Sequence, residues 1–202
     1  MSPFRPPRAL DEDHRECTAT KCSIKGGLLQ PFHRTADCQC HDVSVPLEQV
    51  TTIVAEGGIP LIRITRPLSG GLELEVVPYG RTSLFTAVSH VWADRQFGSA
   101  MNALPECQVE YLDSVLAALP RDVEHWHLRD WYQKMLSSSG SVDGIEPPSR
   151  THYLFWLDAF CIPQDTQHDD LKHKAIEWVN LIYAAAWHTL VFDAGLQKLD
   201  AG

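Results

Sequence analysis

Within the stretch FTAVSHVWAD, residues 85–94, an apolar run closes on four side chains able to do chemistry: Ser89, His90, Trp92 and Asp94. A hydroxyl and an imidazole suit hydrogen bonding to a polar ligand, an indole stacks on a planar ring, and a carboxylate orients a ribose hydroxyl. The same residues also have a structural reading, in which Ser89 and Asp94 cap the following turn and Trp92 joins the core. A second group, Asp158, Cys161, Gln164 and Asp165, lies in the segment WLDAFCIPQD. An ionised carboxylate inside an apolar run is costly unless paired, and His90 is the expected partner of Asp158. That pair would fix the imidazole tautomer, and would either help hold a substrate or lock two strands together. Cys161 with His90 has the residue types of a thiol nucleophile and its base, but no nucleophile elbow accompanies them. A free cysteine in such surroundings is often a small buried hydrophobe.

A third group is metal chemistry. His14, Cys17, Cys22, His33, Cys38, Cys40 and His41 crowd a segment with neither helical nor strand periodicity. The order Cys17, Cys22, His33, Cys38, Cys40 supplies enough soft ligands for a tetrahedral zinc, with spares. The preferred four are Cys17, Cys22, His33 and one of Cys38 or Cys40. A closed four-ligand site leaves no position for a reactive water, so this zinc would be structural and not catalytic. The alternative is a loosely folded arm carrying reduced surface thiols.

These groups need elements to position them. The 202 residues, 44% hydrophobic, allow about one α/β domain with an appendage. A formal charge of −9, from 26 acids against 17 bases, disfavours nucleic acid and anionic membranes as partners. No apolar run approaches the ~18 to 20 residues of a membrane span, and the N-terminus lacks a signal peptide's apolar stretch, so a cytoplasmic location is expected. Six cysteines in that compartment argue for thiols or metal ligands over disulfides.

Residues 1–13 read as a mobile leader, 14–44 as the Cys/His-rich arm and 45–202 as the α/β domain. Residues 45–58 fit a short amphipathic helix stopped by Gly57 and Gly58. IPLIRI and LELEVVPY read as strands separated by the turn SGG. A strand over 85–91 leads to a helix over 104–120 opened by Pro105, with Asn102 as its candidate cap. Residues 121–150 read as a variable insertion. The run 153–162 is expected to be a central strand buried on both faces, followed by one helix over 169–186 capped by Asp169 or Asp170, and a last strand in HTLVFDAG. This alternation predicts a parallel sheet flanked by helices, with ligands taken beyond the carboxyl ends of its strands.

The ordered series FTAVSHVWAD, NALPECQ, FWLDAFCIPQD and KAIEWVNLIYAAAWHTLVFDAGL, spanning residues 79–196, resembles the motif series of the heterokaryon-incompatibility (HET) domain. The resemblance implies a role in fungal self/non-self recognition and cell death, exercised through homo- or hetero-assembly with other proteins. It also implies a flavodoxin-like fold distantly related to the TIR domain, some members of which cleave NAD at the nicotinamide glycosidic bond. The alternative function is therefore an NAD glycohydrolase with the strand-end groups on the dinucleotide. The family continues with a box of the type Trp-x-Arg-x-Trp-Thr-x-Gln-Glu, whose glutamate is the counterpart of the TIR catalytic acid. The C-terminal part of the family domain reads as absent, so this chain is expected to be weak or inactive as a hydrolase, with Asp94, Asp158 and Asp165 as the carboxylates available to it.

Overall fold

The structure, a computed structural model, describes residues 31–68, 70–80, 83–91, 96–99, 101–119 and 153–193. The expected leader, His14, Cys17, Cys22, Trp92, Asp94 and the 121–150 insertion lie outside the described residues.

Seven strands and five α-helices are described: β1 (Asp42–Ser44), α1 (Leu47–Ala55), β2 (Pro60–Thr65), β3 (Glu73–Pro78), β4 (Phe85–His90), β5 (Ala103–Pro105), α2 (Glu106–Ala118), β6 (Leu154–Leu157), α3 (Asp158–Cys161), α4 (Asp169–Glu177), α5 (Val179–Ala185) and β7 (His188–Phe192). Five strands form one sheet in the order β3-β2-β6-β4-β7, and β1 pairs with β5 in a small second ribbon. The main sheet is mixed, where the alternating pattern predicts a parallel one. β4 runs parallel to both β6 and β7. β2 runs antiparallel to β3 and to β6. The reason lies in chain length: the few residues between Thr65 and Glu73 suffice for a hairpin but not for the crossover that parallel neighbours require. Gly70 and Gly71, at φ 88° and 86°, supply the backbone for that turn.

α1 buries Val50 and Val54 and stops where expected, with Gly57 at φ 84° and the Gly58 amide returning to the Ile53 carbonyl at 2.8 Å. Two other elements depart from expectation. The strand of 153–162 ends at Leu157, because the Asp158 carboxylate takes the Ala159 amide at 2.7 Å and turns the chain into the single turn α3. The helix of 169–186 is two helices, broken at Trp178, whose amide shortens to an i−3 bond with the Ala175 carbonyl. The core centres on Phe85, Phe155, Trp156, Phe160, Leu61 and Ile62, all essentially without solvent exposure. Burial of β4 from Phe85 through Val88 follows from its having a strand on each side and cover on both faces. Among the described residues, no helix is long and apolar enough to cross a membrane.

Candidate functional site

The parallel register pairs Val88 with Leu157, so that His90, the last residue of β4, and Asp158, the first residue beyond β6, meet at the carboxyl ends of the two strands. The chain passes from β4 to its neighbour β6 and then to β7 on the other side of β4, a reversal of strand order of the kind at which open α/β sheets take ligands. His90 Nε2 donates to Asp158 Oδ1 at 2.8 Å, the pairing expected from the apolar run around Asp158. The imidazole side chain is 2% exposed and the carboxylate 20%. The same Oδ1 accepts the Ala159 amide, so one oxygen both starts α3 and holds the ring. Phe97 packs edge-on to the imidazole, with centroids 5.9 Å apart.

Tyr183, on α5, joins this group without having been foreseen. Its hydroxyl approaches the Val88 carbonyl at 3.5 Å. Burial pushes its phenol above the ordinary range, a hydrogen bond with Ser89 draws it down, and the Asp158 charge pushes it up again. Its position four residues after Val179, on the apolar side of the helix, reads as core packing, and only the fold brings it to Ser89.

The remaining predicted residues do other work. Cys161 is buried, and burial first, then the Asp158 charge, pushes its thiol far above the usual range despite a backbone bond from Leu157. It packs as a small hydrophobe and has no thiolate to offer. Gln164 is taken up by the turn: its amide donates to Asn102 Oδ1 at 2.9 Å and its Oε1 accepts from Lys172 Nζ at 3.1 Å. Asp165 caps the turn before α4, accepting the Gln167 and His168 amides and the His168 ring at 2.8 Å. Partial burial pushes its carboxyl up, but those bonds and the His168 charge leave it below the ordinary value. Asp169 and Asp170, expected as caps, are instead the first two residues of α4, whose cap position is His168 with no side-chain bond, and Asp165 caps the 3-10 turn before it.

Asn102, expected as a helix cap, is instead a buried clasp. It stands at φ 51°, donates to the Ala159 and Ile162 carbonyls at 3.0 and 2.7 Å, and fixes the turn that carries Asp158. Asparagine tolerates that left-handed backbone better than other side chains do, a signal that the helix-cap reading obscured.

On the far side of β5, His33, Cys38, Cys40 and Cys107 bring one ligand atom each within 4.8 Å of one another. His33 Nδ1 lies 3.3 Å from Cys40 Sγ and 3.8 Å from Cys107 Sγ. Of the residues expected to bind metal, His33, Cys38 and Cys40 therefore converge, while Cys17 and Cys22 fall outside the described residues. His41 instead faces the Glu106 carboxylate at 3.6 Å. The Cys40 backbone, then the His33 and Cys40 side chains, draw the Cys38 thiol down to about 7. Burial, with the neighbouring Cys40 and Cys38 sulfurs, pushes Cys107 up to about 11. Three sulfurs this close resist joint ionisation, and a bound cation removes that conflict. The donor set suits zinc.

The family model for heterokaryon incompatibility protein (HET) matches residues 85–201, more than half of the chain. No curated protein and no solved structure matches it.

Proposed function

The chain belongs to the heterokaryon incompatibility family, and from that premise we propose that it is a signalling module of non-self recognition that promotes cell death through assembly or partner binding. The observation that carries this reading is the state of the two candidate carboxylates among the described residues, Asp158 and Asp165. Loss of nicotinamide from NAD needs a carboxylate facing an oxocarbenium-like sugar. Asp158 directs Oδ1 to His90 and Ala159, and Asp165 is spent on His168 and two amides. Both serve the protein's own turns. The His90–Asp158 pair then acts as a lock between β4 and β6, keeping the strand-end surface in one shape.

Assembly has support in the surface. Ile176 on α4, Leu181 on α5 and Val191 on β7 are large apolar side chains left exposed. Among the described residues β7 pairs with β4 alone, leaving an edge that another chain can extend. A second reading, dinucleotide binding or cleavage on a TIR-like fold, is supported by the grouping of Ser89, His90 and Tyr183 at the strand ends, where open α/β sheets take ligands.

The test runs NAD turnover and self-association on one preparation. The expected result is nicotinamide release no faster than buffer, together with concentration-dependent association in light scattering that Val191→Lys weakens. Nicotinamide release that disappears in a folded His90→Ala variant would overturn the module in favour of the hydrolase.

A further inference from the structure

We propose that His33, Cys38, Cys40 and Cys107 bind a single structural zinc ion that staples the segment before β1 to the first turn of α2. Three of the ligands come from the arm and one from the domain matched by the family model.

Local structure explains how they meet. The Cys38 amide returns to the Thr35 carbonyl at 3.2 Å, a turn that folds His33 back toward the Cys38-Gln39-Cys40 pair. The ribbon of β1 on β5, with Asp42 opposite Pro105 and Ser44 opposite Ala103, then sets the arm against the start of α2. The Glu106 amide extends that ribbon to the His41 carbonyl at 2.9 Å. Cys107 is the next residue, and it faces the three arm ligands.

Geometry fits the ion. A tetrahedral zinc with bonds of about 2.3 Å to sulfur and about 2.0 Å to nitrogen spaces its ligand atoms about 3.6 to 3.8 Å apart. The two His33-to-sulfur separations, 3.3 and 3.8 Å, bracket that spacing, and no pair exceeds 4.8 Å. Backbone amides already point at the sulfurs: Arg34 at Cys107 Sγ, 3.3 Å, and Cys107 at Cys40 Sγ, 3.4 Å. Such bonds favour thiolate over thiol and are the usual outer support of a zinc ligand. Three thiols and an imidazole leave no fifth position for water, which makes the site structural.

The surrounding contacts hold the ligands without the ion's help. Gln108 Nε2 donates to the Phe32 carbonyl at 2.7 Å, and the Arg34 guanidinium lies 3.6 Å above the Tyr111 ring. Both anchors sit on the first turns of α2, and the arm residues they hold, Phe32 and Arg34, lie on either side of His33. Loss of a direct ligand should exceed the ~10 to 100-fold in affinity that outer partners cost.

The experiment measures zinc in freshly purified reduced protein and titrates cobalt(II) into the metal-free form. The expected result is about one equivalent of zinc and a tetrahedral cobalt spectrum with the charge-transfer intensity of three thiolates. Cys107→Ser should weaken binding more than a hundredfold, and Cys17→Ser and Cys22→Ser should leave the spectrum unchanged. Cys107→His covers the case in which the serine variant does not fold; it should keep one equivalent with two-thiolate intensity. Three-thiolate cobalt binding in both Cys107 variants, abolition by Cys17→Ser or Cys22→Ser, or a wild-type protein that takes up neither metal would each overturn the assignment.

Discussion

Asn102→Ala isolates how much the clasp contributes to the turn carrying Asp158. The substitution removes two donated bonds, to the Ala159 and Ile162 carbonyls, and one accepted bond, from the Gln164 amide. Ala159 and Ile162 are buried, so water does not replace the lost partner. At about 1 kcal/mol for each group left unpaired, the bonds amount to about 3 kcal/mol. Alanine at φ 51° adds about 1 kcal/mol of left-handed backbone strain. The total, about 4 kcal/mol, is a large share of the ~5 to 15 kcal/mol that stabilises a domain. Glycine loses the same bonds but accepts the backbone, so Asn102→Gly should be about 1 kcal/mol less damaging than alanine. Urea unfolding at constant m-value reads both numbers as shifts in midpoint. A cost below about 1 kcal/mol for alanine, or glycine proving the worse of the two, would refute the clasp.

Thiol labelling should discriminate the cysteines. In metal-free reduced protein at neutral pH, Cys38, drawn down to about 7, should react with iodoacetamide well before Cys107, pushed up to about 11. Cys161 should react only after denaturation, and its modification in folded protein, located by peptide mapping, would contradict its burial. Asp165→Asn should give a pH-dependent loss of stability. A carboxyl held below its ordinary value contributes fully above its unfolded pKa of about 3.9 and loses that contribution as pH falls through the lower folded value. The gap in urea midpoint between wild type and variant should therefore be present near neutral pH and close below about pH 4. A gap that is equally wide in acid would show the cap to act without its charge.

Much of this arrangement was legible because each signal was local. Phe85 to Val88 and Phe155 to Leu157 read as buried strands from apolar content alone, and both are. The His90–Asp158 pair followed from one electrostatic requirement, that a carboxylate at the edge of an apolar run needs a partner. What failed was either directional or long-range. Periodicity marks IPLIRI as a strand but carries no sign for parallel or antiparallel, so the mixed sheet had to come from connection length. The apolar stripe of the last helices continues in register across Trp178, which hides the break there. Asp158 ended its strand through a bond to its own neighbour, a competition invisible to hydrophobic pattern. Cys107 was the hardest, standing 67 residues beyond Cys40 and outside any ligand spacing that a finger motif would show.

NALPECQ, residues 102–108, explains why the two sites cannot be treated separately. Asn102 grips the turn after Asp158, while Leu104 is buried, with no solvent exposure. Pro105 pairs with Asp42, Glu106 donates its amide to His41, Cys107 meets the arm's ligands, and Gln108 holds Phe32. A strand of three buried residues therefore has the strand-end turn on one end and the Cys/His cluster on the other. Such a segment cannot slide to suit one end without displacing the other, because its register on β1 is set by side chains already in the core. Residues 31–44 lie outside the span matched by the family model, yet the partners they use, Glu106, Cys107, Gln108 and Tyr111, lie inside it. The arm is thus joined to the family domain through the N-terminus of one helix. That is where a zinc staple has the greatest leverage on the position of Asn102, and through it on Asp158.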